Sequence, residues 1–286
     1  MKNKIVLLIG GSSGLGEAIA YDIVNNYSKK VLIIGRNEQK MKSIVKKNKN
    51  LLYYKVDITK NKDIDKLINY LKTNYIVTSV INSATIQNLQ LLEKISDAKF
   101  NDSMNVNVNG PRKIITKLIK NDILIKNGRV LFISSTSRYN YQSGMGLYSM
   151  SKAASFALTN MLKKEYKGKY LFGSLYPGTL YGTKTAQGMA DSKIVEIMNL
   201  RKRLKEFLHN NKQIRILSTE QVAPFVTWVL FQTSDDAFED PMKCIINKSN
   251  EILSTNEWDI RDCKFYNNCP IECGELLRDL SNFLGD

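Results

Sequence analysis

The chain has 286 residues, of which 43% are hydrophobic and 24% charged, as in ordinary globular proteins. This composition excludes large-scale disorder, and no stretch approaches the ~18 consecutive apolar residues of a membrane-spanning helix. The 42 Lys and Arg exceed the 27 Asp and Glu, for a formal net charge of +15, but the lysines are spread along the whole chain. We interpret the charge as solvated helix surface that favours anionic ligands, and we expect no nucleic-acid or membrane partner.

Short apolar runs alternate with amphipathic stretches along most of the chain. Continuous apolar runs are typical of strands that are covered on both faces. Between Ile64 and Leu71 the apolar residues fall at i, i+3, i+4 and i+7, as in a helix that packs on a sheet. The alternation predicts an α/β fold with a doubly wound parallel sheet and helices on both faces. The predicted strands are Ile5 to Ile9, Val31 to Ile34, Leu51 to Val56, Val77 to Ile81, Val130 to Ile133, Tyr170 to Tyr176 and Cys244 to Ile246.

The first predicted strand leads into a glycine-rich turn, Gly10-Gly11-Ser12-Ser13-Gly14-Leu15-Gly16, which is followed by a predicted helix. Glycines in this position let the chain turn tightly and bring backbone N–H groups against a pyrophosphate at a helix N-terminus. Glycine-rich turns also serve as plain connections. The placement between a buried strand and a helix nevertheless predicts a dinucleotide site.

The second predicted strand ends at Gly35-Arg36-Asn37. An acidic residue near this point usually binds the adenosine ribose of NAD, whereas an arginine accommodates the 2′-phosphate of NADP. The acidic residue is missing and Arg36 is present, and a planar guanidinium suits a phosphate. An exposed arginine in a turn is the alternative interpretation. We expect NADP(H) to be favoured over NAD(H).

Tyr148 and Lys152 form the most informative pair in the sequence. Their i, i+4 spacing puts both side chains on one face of a helix. Free tyrosine has a pKa near ~10, and a nearby ammonium lowers the cost of forming the phenolate. The pair is therefore a candidate acid–base centre, although the same spacing also occurs by chance on solvated helices of lysine-rich proteins.

Two further residues give this pair a context. Ser135 lies 13 positions before Tyr148, just after a predicted strand, and Asn107 lies in the run Val106-Asn107-Val108-Asn109-Gly110. Together with the Gly-x3-Gly-x-Gly turn, this set resembles the short-chain dehydrogenase/reductase family in its single-domain form. The resemblance covers roughly residues 4–183 and extends more loosely to about 248. Ser134 and Asn105 are alternatives to Ser135 and Asn107 in neighbouring register.

The resemblance implies a seven-stranded Rossmann-like sheet, a homodimer or homotetramer, and hydride transfer between NAD(P) and a small-molecule carbonyl or alcohol. It implies that Tyr148 is the general acid in reduction and the base in oxidation. Ser135 would bind the substrate oxygen, Asn107 a proton-relay water and Lys152 the nicotinamide ribose. Asp57 resembles an adenine-contacting acid, with a helix N-cap as the alternative. The implied cofactor-binding residues are Gly10, Ser12, Ser13, Gly14, Leu15, Gly16, Arg36, Asp57, Ile58, Asn82, Ala84, Tyr148, Lys152, Pro177, Gly178 and Thr183.

Several cofactor positions depart from the family pattern. Ile9 stands where the family often has threonine, and Asn82-Ser83-Ala84-Thr85 replaces Asn-Asn-Ala-Gly. The threonine expected four residues after Gly178 is Gly182, with Thr183 one place later. The departures indicate a divergent member that keeps the four catalytic positions.

The predicted Rossmann-like domain spans 1–248, with a charged insertion at 182–216 on the substrate side and a C-terminal extension at 249–286. Of the four late cysteines, only Cys269 and Cys273 have a spacing that zinc sites use, so we expect free thiols and no metal. The first apolar run, Ile5 to Ile9, is too short for a signal peptide. We therefore expect a cytoplasmic protein.

Two other functions stay open from the sequence. A nucleotide-sugar epimerase or dehydratase shares the tyrosine and the lysine, but usually has a Gly-x2-Gly-x2-Gly turn and a larger C-terminal domain. A non-catalytic regulator that senses dinucleotides typically lacks the tyrosine. The glycine spacing and Tyr148 favour the oxidoreductase over both.

Overall fold

The computed structural model describes residues 2–180, 183, 187, 216–239 and 258–259. Its strands are β1 (Asn3–Ile9), β2 (Val31–Gly35), β3 (Leu51–Lys55), β4 (Tyr75–Asn82), β5 (Leu124–Ile133), β6 (Leu171–Tyr176), β7 (Thr179–Leu180), β8 (Ile216–Leu217) and β9 (Trp258–Asp259). Its α-helices are α1 (Gly14–Asn26), α2 (Glu38–Val45), α3 (Asn61–Asn74), α4 (Asp97–Met104), α5 (Gly110–Lys120), α6 (Gly146–Glu165), α7 (Thr219–Phe231) and α8 (Asp235–Glu239). There are also short 3-10 turns at Leu92–Lys94 and Thr136–Arg138, and a π-helical turn at Asn105–Asn109.

The predicted doubly wound parallel sheet is confirmed. Seven strands pair in the order β3-β2-β1-β4-β5-β6-β9, and every neighbouring pair is parallel. The strand order reverses between β1 and β4, and sheets of this kind bind ligands in the crevice at the carboxyl ends of the strands next to such a reversal. The glycine-rich turn after β1 and the segment after β4 therefore lie where a ligand is expected.

The seventh strand lies farther along the chain than predicted. Trp258–Asp259 pairs with Leu175 and Tyr176 of β6, whereas the predicted strand Cys244 to Ile246 lies outside the described residues. Part of the segment assigned to the C-terminal extension thus joins the sheet. The domain boundary at 248 stays a prediction.

Alternate residues of each strand enter two apolar layers. Val6 and Leu8 of β1 belong to the layer that contains α1, α2 and α7, whereas Ile5, Leu7 and Ile9 belong to the layer that contains α3 and α5. Both faces of the strand are therefore covered, which explains why the sequence shows continuous apolar runs rather than alternation.

Two segments of the fold are irregular. β5 starts six residues before its predicted beginning, and its register against β4 shifts between Val77 and Ser79. α4 runs directly into the π-helical turn Asn105–Asn109 and then into α5. π-helical turns are frequent at functional sites, because they change the direction of the side chains that follow.

Several predicted features fall outside the described residues. The insertion at 182–216 is described only at 183, 187 and 216, and none of the four cysteines is described. Among the described helices, none combines the length and apolar character needed to cross a bilayer.

The packing predicts a large cost for truncating Phe132, which is 1% exposed on β5 between Asn82 and Ser174 of the neighbouring strands. Phe132→Ala should lower the free energy of unfolding by about 3–5 kcal/mol, measured by urea titration. The matched control is Tyr141→Ala, because Tyr141 is 75% exposed. The control should change the value by less than about 0.5 kcal/mol, and equal losses would contradict the assignment of this core.

Candidate active site

The glycine turn packs against the segment after β4 with no room for side chains. Gly10 has a left-handed φ of +87°, and a Cβ there would lie 2.6 Å from the backbone N of Ala84. A Cβ on Gly16 would lie 2.2 Å from the carbonyl oxygen of Gly10. Both positions require glycine, and their close packing places the start of α1 at the crevice between β1 and β4.

The start of α1 provides backbone donors at this point. The N-cap residue Ser13 is extended, and its side chain makes no capping hydrogen bond within the described chain. The first N–H groups of a helix have no partner inside the helix, so they attract an anion. Leu15 is buried. Thr183 lies beside the glycine turn, because its Cγ2 is 3.6 Å from where a Cβ on Gly14 would be. The structure thus brings Thr183 to the predicted pyrophosphate site.

A cavity of about 660 Å³ lies at the ends of β2 and β3. Ser12 links it to the glycine turn, since its Oγ lies 3.5 Å from where a Cβ on Gly35 would be. The cavity is lined by four cationic residues, three acidic residues and two tyrosines: Arg36, Lys55, Lys60, Lys66, Glu38, Asp57, Asp63, Tyr53 and Tyr54. The predicted adenosine-side residues Arg36 and Asp57 are therefore brought together.

Asp57 closes a turn at this cavity. Its Oδ1 accepts hydrogen bonds from the backbone N of Thr59 at 3.0 Å and from the Thr59 hydroxyl at 2.7 Å. Burial raises the pKa of Asp57, but these bonds and the nearby charges of Arg36 and Lys60 outweigh burial and hold that pKa below its usual value. Lys60 is the N-cap residue of α3, so the N-cap alternative for Asp57 is wrong. The neighbouring Ile58 is 8% exposed.

The end of β4 adds an unsatisfied polar group to the crevice. Asn82 is 4% exposed, and its Oδ1 is buried with no hydrogen-bond partner among the described residues. Ala84 packs on Gly10, as described above. A buried carbonyl oxygen without a partner is costly, so Asn82 is well suited to accept a hydrogen bond from a ligand.

Tyr148 lies buried near the start of α6. Its hydroxyl is beside the hydroxyls of Ser135 and Thr85. Burial raises the pKa of Tyr148 to about 12, and nearby Tyr176 adds to the rise, whereas the neighbouring hydroxyls of Ser135 and Thr85 lower it. The phenol is therefore protonated at neutral pH in the free protein.

Lys152 follows one helical turn after Tyr148. Its side chain is 7% exposed, and its Nζ donates a hydrogen bond to the carbonyl oxygen of Ile133 at 3.0 Å. The Nζ atom lies 5.6 Å from the centre of the Tyr148 ring. The ammonium is thus held at the carboxyl end of β5, close to the phenol.

The structure distinguishes the two candidate serines. The Ser135 Oγ lies at the Tyr148 hydroxyl and accepts hydrogen bonds from the backbone N of Ser137 at 3.2 Å and from its hydroxyl at 2.9 Å. The Ser134 hydroxyl is buried with no partner among the described residues. The geometry therefore favours Ser135.

Asn107 connects the segment after β4 to α6. Its Oδ1 accepts from the backbone N of Ile86 at 2.8 Å, and its Nδ2 donates to the carbonyl oxygen of Ile86 at 2.9 Å and to the Ser151 hydroxyl at 2.8 Å. Ser151 in turn donates to the carbonyl oxygen of Tyr148 at 2.8 Å. The alternative residue Asn105 instead accepts a hydrogen bond from Asn109. Asn107 therefore holds the site together through its side chain.

Two buried polar residues in the segment after β4 were not among the predicted site residues. Thr85 has a buried hydroxyl, and Gln87 has a buried amide whose nitrogen and oxygen both lack partners within the described residues. In the sequence, Thr85 stands out only as a departure from the family pattern. Pro177, which is buried, and Gly178, with φ +78°, follow Tyr176, which lies near Tyr148.

Sequence comparisons agree with this geometry. Residues 4–193 match the family model described as short chain dehydrogenase. An uncharacterized oxidoreductase of Staphylococcus epidermidis is 25% identical over 239 residues, which cover 82% of this chain and 94% of that protein. One of Staphylococcus aureus is 27% identical over 240 residues, with the same two coverages of 82% and 94%.

Solved structures share the fold. A variant of actinorhodin polyketide ketoreductase, crystallised with NADPH, matches with a TM-score of 0.69 at 18% identity, over 80% of this chain and 92% of its own. The aldohexose dehydrogenase of Thermoplasma acidophilum, in ligand-free form, matches with a TM-score of 0.67 at 21% identity, over 83% of this chain and 89% of its own.

The parallel sheet, the glycine turn at its reversal point and the family match define an NAD(P)-dependent oxidoreductase that acts on a small molecule. The chain belongs to the short-chain dehydrogenase family, whose model matches well over half of its residues.

The role of Asn107 predicts a specific loss of stability. Asn107→Ala leaves both backbone groups of Ile86 and the Ser151 hydroxyl short of a partner, so the free energy of unfolding should fall by about 2–4 kcal/mol, measured by urea titration. Asn109→Ala is the control, because the Asn109 side chain is only partly buried and contacts Asn105 and Arg112. The control should cost less than about 1 kcal/mol, and an equal cost would contradict the role of Asn107.

Proposed function

We propose that the protein is a carbonyl reductase, and in reverse an alcohol dehydrogenase, that prefers NADPH. One observation carries this proposal. The buried Tyr148 hydroxyl lies beside Ser135, with Lys152 one helical turn away, at the same end of the sheet as the glycine turn.

The residues present fit a nicotinamide dinucleotide. The cradle at Gly10 and Gly16 excludes side chains, the start of α1 offers backbone donors, and Asn82 offers a buried acceptor. When bound, the nicotinamide supplies or accepts the hydride. The glycine turn would hold the pyrophosphate, and Lys152 would hold the nicotinamide ribose.

Tyr148 is the proposed proton donor in reduction. Its pKa of about 12 keeps the phenol protonated at neutral pH, so a proton is available for the substrate carbonyl oxygen as the alkoxide develops. The positive charge of Lys152 favours the phenolate that remains. In alcohol oxidation the same phenolate takes the hydroxyl proton back.

Ser135 is the proposed group that orients the substrate oxygen. Its oxygen already accepts two hydrogen bonds from Ser137, which fixes its position and leaves its own proton free to donate. That single proton can be given to the substrate oxygen.

A relay water is proposed near Asn107, although the Asn107 side chain has few hydrogen-bonding positions left to hold it. Both donors of the Asn107 amide and one of its acceptor positions are already used by Ile86 and Ser151. A water would therefore bind to the remaining lone pair or to the backbone of the π-helical turn Asn105–Asn109.

The preference for NADPH is supported by the cavity at Arg36. Four cationic side chains line it, and the carboxylate of Glu38 is already paired with Lys42 at 3.0 Å. Arg36 can offer a planar fork of donors to a 2′-phosphate. The structurally similar ketoreductase is crystallised with NADPH, which agrees with this proposal.

A homo-oligomer is proposed as the working assembly. Phe100 on α4 and Met150 and Met161 on α6 are exposed by 40%, 42% and 52%, and these two helices are neighbours. Exposed apolar side chains on adjacent helices favour contact between copies. The cytoplasmic location stays a prediction from the sequence.

Tyr148→Phe tests the proton donor. The substitution should lower turnover in a panel of carbonyl compounds, followed by NADPH consumption, by roughly 10²–10⁴-fold, because a general acid contributes about that factor. The dissociation constant for NADPH should change less than about threefold, since the ring is kept. The control is Tyr141→Phe on an exposed tyrosine. Full activity of Tyr148→Phe would refute the proposed mechanism.

Arg36→Ala tests the cofactor preference. Loss of a charged hydrogen bond to the 2′-phosphate should weaken NADPH binding by about 10–100-fold while leaving NADH binding nearly unchanged. Fluorescence titration with each cofactor measures both constants. Arg112→Ala, on an exposed face of α5, is the matched control. An equal effect on NADPH and NADH would contradict the assignment of Arg36.

A further inference from the structure

The Thr85 hydroxyl lies in an unusual position. Its Oγ1 is fully buried with no hydrogen-bond partner within the described chain, yet it lies beside the hydroxyl of Tyr148. A buried hydroxyl that forms no hydrogen bond costs stability, so such groups in native proteins call for an explanation.

Thr85 is fixed from both sides along the chain. Ala84 packs on Gly10, with its backbone N 2.6 Å from where a Cβ on Gly10 would be. Ile86 is held through its N–H and its carbonyl by Asn107. Because Asn107 also binds Ser151 on α6, the segment that carries Thr85 and the helix that carries Tyr148 are held in one network.

Few groups near Tyr148 can donate a hydrogen bond to its oxygen. A hydroxyl has one proton to donate. In the proposed function, Ser135 gives its proton to the substrate oxygen, so it has none left for the Tyr148 oxygen. Lys152 lies with its Nζ 5.6 Å from the centre of the Tyr148 ring, and it acts on the phenolate through its positive charge. Among the described residues, Thr85 has the other hydroxyl, besides that of Ser135, within hydrogen-bonding reach of the Tyr148 oxygen.

We propose that Thr85 is a positioning residue whose hydroxyl donates a hydrogen bond to the Tyr148 oxygen when that oxygen has lost its proton. In reduction the proton of Tyr148 passes to the substrate carbonyl oxygen, while the proton of Thr85 stays on Thr85. The bond leaves the proton of Ser135 to the substrate. This inference rests on the proposed function, because it assumes that Tyr148 ionises during the reaction.

The test compares Thr85→Val, which removes the hydroxyl at nearly constant shape, with Thr85→Ser, which keeps it. The ionisation of Tyr148 is followed in the full chain with NADP⁺ by pH titration of tyrosinate absorbance, with the Tyr148→Phe titration subtracted. At a given alkaline pH, Thr85→Val should reduce the ionised fraction of Tyr148 about tenfold, and Thr85→Ser should stay within about threefold of the wild type.

The same comparison is repeated in a protein that also carries Ser135→Ala. In Ser135→Ala, where Ser135 can no longer donate to Tyr148, the effect of Thr85→Val should be larger than in the wild type. Thr85→Ala replaces Thr85→Val if the valine variant does not fold. Equal Tyr148 titrations with and without the Thr85 hydroxyl, in both backgrounds, would overturn the inference.

A different measurement decides whether the proposed function is correct. If the wild type consumes NADPH and Tyr148→Phe does not, the proposed function stands whatever Thr85 does. If Tyr148→Phe keeps full activity, the proposed function fails, while the titration still reports whether Thr85 stabilises the Tyr148 anion.

Discussion

Three hydrogen bonds of the Asn107 side chain, two donated and one accepted, hold the candidate site together. They join the backbone of Ile86, just after β4, to Ser151 on α6. The first of these segments also packs on the glycine turn through Ala84, and the second carries Tyr148. Cofactor cradle and acid–base centre are therefore parts of one packed unit, and a shift of either segment would move the phenol relative to the crevice.

Burial of the Tyr148 hydroxyl sets the chemistry that this unit can perform. In water a phenol ionises near ~10, but desolvation favours the neutral form and raises its pKa. The free protein thus holds a proton donor. Neighbouring hydroxyls and the Lys152 ammonium are placed to stabilise the negative charge that remains on the Tyr148 oxygen after it donates its proton. Preorganised groups of this kind act without reorganising solvent at the moment of reaction.

Much of the architecture is predictable from the sequence, because strands that are buried on both faces appear as continuous runs of apolar residues. Six of the seven strands and the glycine turn follow from that pattern. The early part of β5 does not, because Lys126 and Asn127 are exposed and Asn127 has a φ of +59°. The seventh strand, Trp258–Asp259, is only two residues long and offers no run to detect.

The candidate active site is predictable from the sequence to a similar extent. Spacing and resemblance pointed to Tyr148, Lys152 and Ser135, but spacing alone left Ser134 open until the fold set the direction of each hydroxyl. Thr85 is visible in the sequence only as a departure from the family motif, and Gln87 belongs to no motif, since only packing buries their polar atoms. The hydrogen-bonding role of the Asn107 side chain likewise depends on contacts between segments 21 and 44 residues apart.

The central claim, that the buried phenol of Tyr148 delivers the proton, is tested most directly by the pH dependence of a single turnover. The enzyme is premixed with NADPH, and the rate of its oxidation is followed after addition of an active carbonyl compound. The account predicts a rate that is level through neutral and mildly alkaline pH and falls only where the phenol ionises. A fall centred near neutral pH would contradict it, because the proton would then come from another group.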